Sequence, residues 1–139
     1  YTGYWLQSLT IQYKIYMELK ITIKGEMPDM NTYINALSKH RLQGAEIKRV
    51  ATDSVTWETK KYATRKLPPP YHITFNWYCK DRKKDKDNIS SMGRKCILDG
   101  LQKSGVIPQD SWNVVDGFSD FFFLDKANPR IEVIIKSLT

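Results

Sequence analysis

The stretch Asp81-Arg82-Lys83-Lys84-Asp85-Lys86-Asp87-Asn88 sets carboxylates among cations at regular spacing. In extended backbone residues i and i+2 point the same way, so Asp85 and Asp87 are expected to project together. Two carboxylates roughly 5 Å apart repel by about 3 kcal/mol at an effective dielectric near 20. Lys84 and Lys86 have the opposite parity and would face away. A bound cation relieves the repulsion, and Mg²⁺ suits one or two carboxylates completed by water and phosphate oxygens. The same residues also read as a solvated charge run in which Asp87 caps the following helix.

That helix carries a polar stripe of Asn88, Ser91, Lys95 and Asp99 beside an apolar one. Helical side chains lean toward the N-terminus, so Lys95 is expected to reach back toward the aspartates and neutralise charge on a phosphate between them. Its alternative is a surface pair with Asp99 one turn on. Asp110 offers a third carboxylate. The helix ends roughly 24 Å from its start, at 1.5 Å per residue, and the residues after it must run back along it. Reach is marginal without helix tilt or a partner subunit.

The elements that must position these groups follow from periodicity. Apolar residues alternate through Leu19, Ile21 and Ile23, which predicts a strand over 17–24. Residues 30–63 are helical in composition, with Ile34, Leu37, Ile47, Ala51 and Val55 as the apolar positions. Gly44 and the polar run 40–43 allow two pieces. Pro68-Pro69-Pro70 ends the segment. Tyr71, Ile73, Phe75, Trp77 and Cys79 lie on one face of a second strand. Ile89, Met92, Cys96, Ile97, Gly100 and Leu101 form the buried stripe of a helix over 88–103, stopped by Gly105. Two strands, near 113–124 and 130–137, close the chain. The order β-α-β-α-β-β predicts an α+β domain, a mixed sheet of about four strands with two helices packed on it.

Composition bounds the function. Lys and Arg number 22 against 15 Asp and Glu in 139 residues, a formal charge of +7 that attracts polyanions. The hydrophobic share of 41% supports a core and excludes a disordered chain. Two cysteines exclude a disulfide framework and a four-cysteine zinc site, and both read as buried packing residues. No apolar run approaches a membrane span and no secretory signal is visible, so a cytoplasmic protein is expected. Residues 1–16 hold a single cation and no acid. They read as a leader, either appended to the domain or prolonging its first strand, and residues 17–139 as the single working domain. His40 reads as solvated, and the phenylalanines at 118 and 121–123 as core.

Taken in order, Asp85-Lys-Asp87-Asn88-Ile89, Lys95-x-x-x-Asp99-Gly-Leu101, Gly105-Val-Ile-Pro-Gln-Asp110 and Val114-Val-Asp116 resemble the RusA-type Holliday junction resolvases. The likeness runs from about Met17 to the C-terminus and takes in Ile23-Lys-Gly-Glu-Met-Pro28 and Pro129-Arg-Ile-Glu-Val133. It implies a homodimeric, Mg²⁺-dependent endonuclease, often prophage-borne, that resolves four-way DNA junctions by paired nicks in recombination and repair. Carried over by position, Asp85, Asp87 and Asp110 would bind the metal and Lys95 would be the essential lysine. Some members place that lysine one turn nearer the aspartates, where this chain has Ser91. Arg82, Lys83, Lys84 and Lys86, with Asn88 beside them, would hold neighbouring phosphates. The rival is a non-catalytic basic DNA-binding or architectural protein. It explains the charge but gives no reason for acids where phosphates would bind.

Overall fold

A computed structural model describes residues 17–139, and the leader expectation falls outside them. Strand β1 spans Glu18–Lys24, β2 Tyr71–Cys79, β3 Val115–Leu124 and β4 Arg130–Ser137; helix α1 spans Met30–Lys39, α2 Arg41–Thr59 and α3 Lys86–Ser104. The fold is α+β. The strands form one sheet in the order β1-β4-β2-β3, with β4 antiparallel to both β1 and β2, and β3 parallel to β2.

Alternation decides which face is buried. Leu19, Ile21 and Ile23 of β1, Tyr71 to Cys79 at every second position of β2, and Ile131, Val133 and Ile135 of β4 point into one core. Val55 of α2 and Ile97, Leu98 and Leu101 of α3 close it from above. At 25 cal/mol per Å², a buried Leu or Ile contributes about 2 kcal/mol. The helical layer packs tightly because glycine permits it. A Cβ on Gly100 would lie 2.5 Å from Cγ1 of Val55, and one on Gly93 would lie 2.7 Å from the Trp77 ring.

The first helical segment is two helices. His40 leaves helical geometry with φ −161° and ψ 129°, and its Nδ1 accepts the backbone N–H of Leu42 at 3.1 Å. Expected as a solvated residue, His40 is the cap of α2. No residue of α1 is buried, so Ile34 and Leu37, expected in the core, stand exposed. Asp29 caps α1, accepting from the Thr32 backbone N–H at 2.8 Å and from its hydroxyl at 3.0 Å. Gly105 ends α3 in the left-handed region at φ 86°, where other residues are strained.

Because β2 and β3 are parallel, α3 must carry the chain from the end of one strand back to the start of the other. Everything that precedes α3 therefore gathers at one pole of the sheet. Everything that follows it gathers at the opposite pole.

Candidate functional site

The charged stretch lies at the first pole. Helix α3 starts at Lys86, so Asp85 is its N-cap and Asp87 stands in its first turn. The extended geometry expected for the pair is corrected: a helix rotates successive residues by about 100°, and i and i+2 do not share a face. Asp87 is exposed and does not cap the helix. Asp85 occupies the cap position with φ −66° and ψ 146°, yet its side chain makes no capping hydrogen bond. Its carboxylate is left free beside a helix start whose exposed N–H groups favour negative charge.

Asp85 lines a cavity of about 610 Å³ with Asp81, Arg82, Lys84, Lys86, Phe122, Phe123 and Leu124. Asp81 accepts the backbone N–H of Lys83 at 3.0 Å, which folds the loop back on itself. This acid was not among the expected ligands. Lying two residues after the last core position of β2, it had no periodic signal to mark it. The Lys86 ammonium sits 5.8 Å from the Phe122 ring centre, within cation–π range.

The aromatic wall also departs from expectation. Phe122 packs against Trp77 with ring centres 6.4 Å apart. Phe118, Phe121 and Phe123 are 42%, 53% and 44% exposed, so only one of the four is core-like. Phe123 stacks on Tyr78 at 4.8 Å, and the Arg130 guanidinium lies 3.8 Å above the other ring of that pair, Tyr78.

Two residues expected to touch phosphates hold the fold instead. Lys84 Nζ pairs with Asp29 Oδ2 at 3.0 Å. Burial alone would push the Asp29 carboxyl up; the Thr32 backbone N–H and the Lys84 ammonium outweigh it and bring it down to about 2. Asn88 Oδ1 accepts the backbone N–H of Asn31 at 2.8 Å and so supplies α1 with a second cap. Arg82, Lys83 and Lys86 remain exposed around the cavity.

Lys95 does not reach back. Its Nζ lies 3.3 Å from Asp99 Oδ1, one turn toward the helix C-terminus, and Lys48 approaches the same carboxylate at 3.6 Å. The surface pair with Asp99 is the arrangement present. Asp110 is exposed at the second pole, and the following segment is fixed there by the Tyr71 N–H donating to Val114 O at 2.8 Å. The 19 residues of α3 put roughly 28 Å between the two poles. Within one chain, Asp110 cannot share an ion with Asp85.

No family model matches this sequence, and no curated protein matches it. Among the described residues, no group of three or more His, Cys, Asp or Glu side chains is placed to hold a metal ion. A single chain thus does not fit a three-carboxylate metal centre. What it offers at the first pole is one free carboxylate, a second acid on the same cavity, and cations around them. That set fits Mg²⁺ held by one or two carboxylates and completed by water and phosphate oxygens.

The two thiols lie away from this chemistry. Cys79 and Cys96 are both free and buried, and burial pushes each thiol above its ordinary range. Among the described residues no helix is long and apolar enough to cross a membrane.

Proposed function

We propose that the chain is a Mg²⁺-dependent endonuclease of the RusA resolvase type, acting on four-way branched DNA in cytoplasmic recombination and repair. The observation that carries this reading is the free carboxylate of Asp85, set with Asp81 in a cavity whose other charged walls are Arg82, Lys84 and Lys86. Acids in a phosphate-attracting loop weaken DNA binding unless a cation intervenes. The order of the sequence blocks supports the same reading.

In this scheme Arg82, Lys83 and Lys86 hold the phosphates flanking the scissile one and fix the backbone over the cavity. Asp85, with Asp81 behind it, would hold Mg²⁺, which supplies Lewis-acid polarisation of a phosphate oxygen. The aromatic wall excludes water from one side, strengthening each charge interaction within. A homodimer would present two such cavities to a junction that itself has two-fold symmetry.

The test is Asp85→Asn on a synthetic four-way junction with Mg²⁺. Cleavage should fall by at least about a hundredfold while binding is kept or tightened. Cleavage at the wild-type rate would dispose of the reading. The separation of Asp110 and the Lys95–Asp99 pair favour a second one, a polyanion binder without catalysis. It predicts that wild-type protein binds junctions with a steep salt dependence and never nicks them.

A further inference from the structure

Strand β3 is at the edge of the sheet, and three of its features fit one another across two copies of the chain. Its outer side is unpaired among the described residues. From Gly117 to Leu124 it carries no Lys, Arg or Pro, the residues that usually protect an edge, and its one charge there, Asp120, is already held by Arg94 and Trp77. At its C-terminal end lies the cavity walled by Phe122, Phe123 and Leu124. Just before its N-terminal end lies Trp112, 93% exposed, two residues after Asp110. An indole left almost wholly in water is an unusual use of the largest apolar side chain.

We infer that two copies pair β3 to β3 antiparallel about a two-fold axis, each seating Trp112 on the aromatic wall of the other's cavity. An antiparallel pair brings the start of one strand to the end of the other, so both knobs meet both hollows at once and the contact closes. The cavity, at about 610 Å³, is within the range that accommodates a bulky aromatic group. Asp110 arrives with Trp112. Each cavity then holds Asp81 and Asp85 from one copy and Asp110 from the other, the third carboxylate that a single chain cannot supply. The interface rests on the edge, the indole and the cavity; only the catalytic use of the shared acid rests on the nuclease reading.

Sedimentation equilibrium and thiol cross-linking test the interface without reference to activity. The full chain should be a dimer at micromolar concentration. Trp112→Ala should weaken it by at least about tenfold, with the melting temperature of the monomer unchanged because the residue is exposed. A mixture of Ser111→Cys and Leu124→Cys proteins should form a mixed disulfide dimer under mild oxidation, faster than either alone. A monomer at about 100 µM, an unaltered dimer in Trp112→Ala, or no mixed cross-link overturns the proposal. So does a monomer that dimerises only after residues 1–16 are removed, since the leader would then be what covers the edge.

Subunit mixing tests the shared site. Asp85→Asn and Asp110→Asn proteins, each inactive alone, should regain nicking when combined, because one of the two cavities in the mixed dimer has every carboxylate intact. A wild type that cleaves, with no rescue on mixing, overturns the sharing and leaves the nuclease reading standing. A cross-linked dimer that never cleaves removes that reading and leaves the interface.

Discussion

Lys84 Nζ stands 3.0 Å from Asp29 Oδ2, and this contact ties the loop of the candidate site to the start of α1. Asp29 is nearly buried, and with the Thr32 N–H and hydroxyl it closes the cap from the other side. The site loop and the first helix therefore stand or fall together.

This coupling predicts a pH dependence. The Asp29 carboxyl is lowered from 3.8 to about 2. A carboxyl depressed in the folded state contributes stability that is fully present above its unfolded value and is lost as pH falls through the folded one. The contribution is roughly 2 kcal/mol, from 1.36 kcal/mol per unit. Asp29→Asn should be less stable than wild type by that order in denaturant unfolding at pH 7. The gap should narrow as pH falls from about 4 toward 2. A gap independent of pH would mean the cap acts without its charge.

Gly100→Ala should destabilise the protein although alanine is the better helix former. The gain in propensity is about 1 kcal/mol, but the new methyl would sit 2.5 Å from Val55 Cγ1 and 3.2 Å from Thr52 O. Overpacking of this kind costs about 1–3 kcal/mol, so the net change should be a loss, read as a lower melting temperature.

Asp120→Ala should be more damaging. Asp120 accepts the Trp77 indole N–H at 2.9 Å and pairs with Arg94, whose Nε has no other partner. The guanidinium would be left between the Phe75 and Phe118 rings with its counter-charge gone. A loss of about 2–3 kcal/mol in chemical unfolding is expected, reduced from the buried-pair figure because the site is partly hydrated.

Lys95→Ala should change stability by only a few tenths of a kcal/mol, since an exposed i,i+4 pair contributes no more. Thermal unfolding checks this. A variant that melts normally but no longer nicks junctions would assign the lysine to the reaction, and not to the helix.

Most of the fold was legible because its signals are periodic. The alternation from Tyr71 to Cys79 marked β2 to the residue, and the stripe from Ile89 to Leu101 with Gly105 after it marked α3. The exposure of Ile34 and Leu37 was not legible, because periodicity names the apolar face of a helix without saying whether another element covers it. The site was less legible still. Asn88 and Asn31 are 57 residues apart, and Lys84 and Asp29 nearly as far, so nothing local reveals that these side chains are already engaged. Asp85 and Asp87 were placed by strand geometry, whereas one residue's difference in where the helix starts turns them apart. Phe121 and Phe123 read as core because aromatic runs usually are; the sheet order makes β3 an edge and leaves them bare.

Both sulfhydryl groups are shielded, Cys96 fully beneath α2 and Cys79 beside the strand ends. An alkylating reagent therefore reaches neither until the layers part, and the rate at which label accumulates becomes a clock for opening of the native state. The two positions would tick separately if the helical layer lifts before the sheet frays, and together if the molecule comes apart as one.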